Sequence, residues 1–189
     1  MKIGEEEYPV NVSFDNVLKI IDMLNDKRLA SGYKIQLGLQ MLFGTKTPLI
    51  ALPMETKVEI FNQVFNEYVN QTKESEIETD LAGNPLTTNY KKKEKEIYYS
   101  FKHDAEYIYA SFLQAYGIDL IEQQGKLHWF KFQALLSGLP EDTKFRQVVS
   151  IRTWKKPTKH DTEEKQMMEL KKVYKLPDES EVEEWQTEE

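Results

Sequence analysis

The residue types that most often carry chemistry are few and scattered in this chain. Its three histidines, His103, His128 and His160, are far apart. None has an acid three residues before it, so the Glu-x-x-His pattern of carboxylate-bridged di-iron bundles is absent. H-E-x-x-H, the phosphate-cradling glycine loops and G-x-S-x-G do not occur either. Cysteine is absent, which removes disulfides, thiolate catalysis and Cys-based metal sites. The best enzyme-like cluster is His103-Asp104 with Glu106. The plainer account is a helix start, where acids suit the positive end of the dipole and His103 stays at the surface.

Two further stretches invite a binding role. His128-Trp129-Phe130-Lys131-Phe132 sets aromatics beside cations, as in a stacking platform. Trp129, Phe132 and Leu136 also fall at i, i+3 and i+7, the spacing of a buried helix face, and that reading is preferred. Lys91-Lys92-Lys93 could touch phosphate, but Glu94 and Glu96 interleave it, as in a solvated linker. The expectation is a non-enzymatic protein with no metal and no cofactor.

Charge narrows the partners. Of 189 residues, 32 are acidic and 25 basic, and residues 178–189 hold seven of the acids and no base. Residues 1–177 are therefore balanced at 25 against 25. Net charge gives no reason to expect nucleic acid or an anionic membrane as partner. No 18-residue apolar run exists to cross a bilayer, and the opening MKIGEEEYPV lacks the apolar centre of a signal peptide.

The elements that position these residues are helices. Apolar residues recur at helical spacing between the seven prolines, and no strand-like alternation exceeds Val10-Asn11-Val12. Helices are predicted over about 13–25, 33–43, 55–73, 102–116, 128–137, 142–154 and 161–175, with Gly44, Gly117, Gly138 and Pro140 as stops. Gly38 inside the second helix costs about 1 kcal/mol against Ala, so tertiary packing must hold it. Residues 97–132 contain 10 of the 22 aromatics. In the fourth helix Tyr107, Tyr109, Leu113 and Tyr116 widen the stripe of Ile108 and Phe112, which predicts a helix in the middle of a bundle. The last helix carries Met167, Met168, Leu170 and Tyr174 on a narrow apolar face, a candidate partner contact because Met adapts to irregular surfaces.

The expected fold is all-α, an irregular bundle of six to seven helices in two halves. Residues 1–73 form the N-terminal helical part, 74–96 a mobile connector and 97–156 an aromatic-rich helical part. Residues 157–177 form a C-terminal helix and 178–189 an acidic disordered tail.

Asp104 to Leu120 is a tyrosine-rich segment ending in YGIDL. Leu127 to Phe132 reads LHWFKF, and Leu135 to Thr143 reads LLSGLPEDT. With FDNVLKIIDMLND and LQMLFG upstream, these motifs resemble the phage family labelled bacteriophage gene product fifteen, over most of residues 8–156. Its members are tail-morphogenesis proteins of long-tailed phages of Gram-positive bacteria. Tyr107, Tyr109, Phe112, Tyr116, Trp129, Phe132 and Leu136 are the matching motif residues, expected in the core. The resemblance implies a tail assembly chaperone. It would coat the tape measure protein in the host cytoplasm until tail-tube subunits polymerise around it, and it would be absent from the finished virion. It implies no catalytic residue. A structural tail component retained in the virion, and a small nucleic-acid-binding regulator, remain the alternatives.

Overall fold

The computed structural model describes residues 1–3, 5–69, 98–156 and 163–177. The connector assigned to 74–96, the Lys91-Lys92-Lys93 run and the acidic tail 178–189 lie outside them. Among the described residues the fold is all-α. The helices are α1 (Phe14–Asn25), α2 (Ser31–Phe43), α3 (Met54–Val64), α4 (Ala105–Tyr116), α5 (Trp129–Ser137), α6 (Lys144–Thr153) and α7 (Glu163–Val173). The described strands are β1 (Lys2–Ile3) and β2 (Glu6–Glu7), paired antiparallel with Lys2 opposite Glu7.

Two compact units emerge. The first draws on Met1–Tyr90 and Ile121–Ser137, the second on Lys91–Leu120 and Gly138–Glu189. The predicted grouping of 97–156 as one part therefore differs from the structure, because α5 packs with the N-terminal helices. Helical spacing identifies which side of α5 is buried and says nothing about its neighbour.

In the first unit the helices form a closed circuit: α1 on α2, α2 on α3, and α5 against both α1 and the turn that follows α3. Residues Phe65–Val69 continue α3 as one wider π-helical turn, where a regular helix to Lys73 is predicted. Phe65 stacks on Phe61 with centroids 5.4 Å apart. The turn ends with Val69 buried. Trp129 closes the circuit by donating its indole Nε1–H to the Val69 carbonyl at 3.2 Å. Phe132 lies between two rings, stacked on Phe14 at 4.9 Å and on Trp129 at 5.6 Å. An antiparallel bridge between Ser13 and His128 sets the register: Phe14 N–H donates to Leu127 O, and Trp129 N–H to Val12 O.

Gly38 shows why α2 tolerates a glycine. A Cβ there would lie 2.5 Å from the Phe61 ring, so any side chain at this point where α2 and α3 meet would force that ring to move. Helix α2 begins at Ser31, two residues before its predicted start, with no side-chain cap. Lys34 donates from Nζ to Leu24 O at 2.6 Å, satisfying a carbonyl in the last turn of α1.

In the second unit α4 packs on α6, and α6 on α7. Ile108, Phe112, Leu120, Leu139, Phe145 and Val148 form its apolar core. Gly117 ends α4 in the left-handed region at φ 63° and donates its N–H to Leu113 O. The wide stripe of α4 does not make it a surrounded helix, since Leu113 is 46% exposed. The side of α4 opposite Ile108 and Phe112 is exposed at Glu106, Ala110 and Gln114.

Candidate functional site

The sequence-selected residues divide between the two units. Trp129, Phe132 and Leu136 are buried in the first. Tyr107, Tyr109, Phe112, Tyr116, Met167, Met168, Leu170 and Tyr174 belong to the second. Phe112 is fully buried and meets the Tyr116 ring edge-on at 5.8 Å. Tyr109 is half-buried and donates its hydroxyl to Asp119 Oδ2 at 3.2 Å.

The His103-Asp104-Glu106 cluster separates. His103 and Glu106 are exposed, whereas Asp104 is buried at 1% exposure. Its carboxylate leaves its own helix uncapped and accepts a fork from Arg152, Nη1 at 2.7 Å and Nη2 at 2.8 Å, with Ser100 N–H at 2.9 Å. Arg152 spends its other donors on backbone, Nη1 to Tyr98 O at 3.0 Å and Nε to Tyr174 O at 2.5 Å. One guanidinium thus ties the approach to α4, the start of α4, the end of α6 and the end of α7. Asp104 was legible only as a first-turn acid. An acid in a motif with an arginine 48 residues downstream carries no local signal of pairing.

The same unit places other polar groups inside. Ser111 is fully buried and its Oγ accepts the Phe145 N–H at 3.0 Å. Tyr99 packs edge-on against Phe101 and Phe145, and burial pushes its phenol above the ordinary value. No group of three or more His, Cys, Asp or Glu capable of holding a metal occurs among the described residues.

Helix α7 is attached mainly through polar contacts. Glu164 pairs with Lys156, and Lys171 Nζ donates to Trp154 O at 2.8 Å. Lys144 donates to the Tyr174 hydroxyl and lies 4.6 Å from the centre of that ring, while Tyr107 meets Tyr174 edge-on at 6.1 Å. The attached side carries Glu164, Met167, Lys171 and Tyr174. Their spacing turns Met168 and Leu170 to its two flanks, 42% and 38% exposed. Val173, which the sequence reading passed over, is 74% exposed. Leu170 and Val173, at i and i+3, therefore form a small outward apolar patch. The missed signal was the pairing of Glu164 and Lys171 with Met167 and Tyr174 at helical spacing.

A family model described as Bacteriophage Gp15 protein matches residues 1–176. The chain belongs to that family. No curated protein and no solved structure matches it. The Gp15 match runs through both units and reaches past α7, so the polar-anchored helix is part of the family's domain. No helix among the described residues of this Gp15 chain is long and apolar enough to cross a membrane.

Proposed function

We propose that this Gp15-family protein is a non-enzymatic tail assembly chaperone. Its client is the tape measure protein, and it acts in the host cytoplasm and leaves before the virion is complete. Membership of a phage family supports the setting. The observation that carries the reading is the exposure of Met168, Leu170 and Val173 on a helix anchored by polar groups. A long helical client presents an apolar stripe of its own, and apolar contact with a chaperone removes that stripe from water. Such burial stabilises by roughly 25 cal/mol per Å² and is little affected by salt.

The test is a titration of the full chain with purified tape measure fragments at low and high ionic strength. Micromolar or tighter binding that holds across salt is expected. Binding that collapses as salt rises would replace the client with a charge-driven partner. Mass spectrometry of purified virions separates the chaperone from a retained tail component, because a chaperone is absent from them.

A further inference from the structure

Among its described side chains, α7 contributes no apolar residue to the core of its unit, and its one buried side chain is the charged Glu164. Its anchors are an ion pair to Lys156, which is 54% exposed, and single donors to backbone or hydroxyl oxygens. The Lys156 end of that pair is open to water, where salt screens it, while the Glu164 end is buried. A recess of about 280 Å³, bounded by Tyr98, Arg152, Lys171, Lys175 and Leu176, opens at the C-terminal end of the seam. Against Tyr174, just past the end of α7, lie the half-buried ring of Tyr107 and the Lys144 ammonium, and Tyr98 borders the recess. A helix with few buried apolar contacts opens before its neighbours do.

We propose, relying on the chaperone reading for the identity of the client, that α7 is a displaceable occupant of the surface made by Tyr98, Tyr107, Lys144 and Lys156, and that an amphipathic helix of the client takes its place while the outward patch of the freed α7 stays open to the rest of the client. The chemistry of that helix follows from α7 itself. It carries an acid in its first turn for Lys156, an apolar side chain one turn on, and an aromatic ring ten residues after the acid for Lys144. The open state is a minor one, so the apparent affinity is the intrinsic affinity reduced by the open fraction. Residues on α7 that loosen the latch without touching the surface beneath therefore tighten client binding.

The full chain is compared with Glu164→Gln, on α7, and Tyr174→Ala, in the residue that follows it. Two quantities are read: native-state hydrogen exchange of the α7 amides, and affinity for a labelled synthetic peptide of residues 161–176. Each variant should raise α7 exchange by about tenfold or more while α6 stays protected, and peptide affinity should rise by the same factor. Exchange of α7 only together with α6 overturns the proposal, as does faster exchange with unchanged peptide affinity. Concentration-dependent dimerisation of the loosened variants would replace the client with the α7 of a second copy. Tape measure fragments should compete with the peptide. Fragments that bind without displacing it leave the chaperone reading intact and remove this surface. Fragments that fail to bind, with exchange and peptide behaving as expected, defeat the chaperone reading and the client's identity but not the opening of α7.

Discussion

The first unit closes on itself through apolar side chains, whereas the second sets a buried ion pair, Asp104 with Arg152, beside a smaller apolar core. Fourteen buried apolar residues belong to the first and six to the second, counted among the described residues. Of the six buried polar or charged residues, four (Asp104, Ser111, Thr143 and Glu164) belong to the second. The contrast teaches where each unit is vulnerable. Apolar closure tolerates salt and pH but not lost volume. A buried ion pair tolerates volume changes nearby but not the loss of one partner.

Trp129→Ala breaks the first unit at its closure. The indole is 2% exposed, stacks on Phe132 and caps Val69 O, so the loss is expected at about 3–5 kcal/mol. Urea unfolding followed by exchange of α1 and α5 amides measures it. Trp129→Phe, which keeps a ring and orphans the carbonyl, should cost about 1–2 kcal/mol.

Asp104→Ala breaks the second unit at its pair. The cost is about 3–5 kcal/mol, toward the lower end because the Arg152 side chain is 10% exposed and regains some water. The double variant Asp104→Leu with Arg152→Met should recover much of that loss, read by the same unfolding curves. A double variant as unstable as the single one would mean that the backbone contacts of Arg152, rather than the ion pair, hold the unit.

Much of the fold was legible because helices announce themselves by spacing and stops. Helical spacing placed α1, whose buried residues are Phe14, Val17 and Ile20, Gly44 and Gly117 ended two helices, and Trp129, Phe132 and Leu136 marked the buried side of α5. What spacing does not encode is the partner. Nothing local says that α5 returns to α1, or that Asp104 meets Arg152. The wide stripe of α4 misled for the same reason: it counts apolar residues without saying which side has a neighbour. On α7 the apolar stripe and the attached side differ, because Glu164 and Lys171 take part in the attachment. Periodicity of apolar residues alone cannot see that rotation.

Gly38→Ala sharpens the apolar side of the contrast. Helix propensity favours Ala by about 1 kcal/mol, yet the Phe61 ring at 2.5 Å must move, so a net loss of about 1–2 kcal/mol is expected. A gain in melting temperature would show that α2 and α3 pack less tightly than described.

The first unit also contains a carboxylate with a structural task, and it sets a smaller effect. Burial works to raise the Asp15 carboxyl, but the Gly125 N–H at 2.8 Å, with Ser13 and Lys19, holds it below its ordinary 3.8. A carboxylate lowered in the folded state adds stability above its unfolded value, and that stability is lost as pH falls through the folded value. Asp15→Asn should therefore lower the melting temperature near neutrality and flatten its fall between about pH 5 and about pH 3. An unchanged acid slope would remove Asp15 from the account.

The most direct test of the central proposal, that the second unit takes up the client by giving up α7, is hydrogen-exchange footprinting of the full chain bound to purified tape measure fragments. The account predicts faster exchange in α7, slower exchange in α4 and α6 beneath it, and no change in α1, α2, α3 and α5. Protection gained on the first unit, with α7 unaltered, would contradict it.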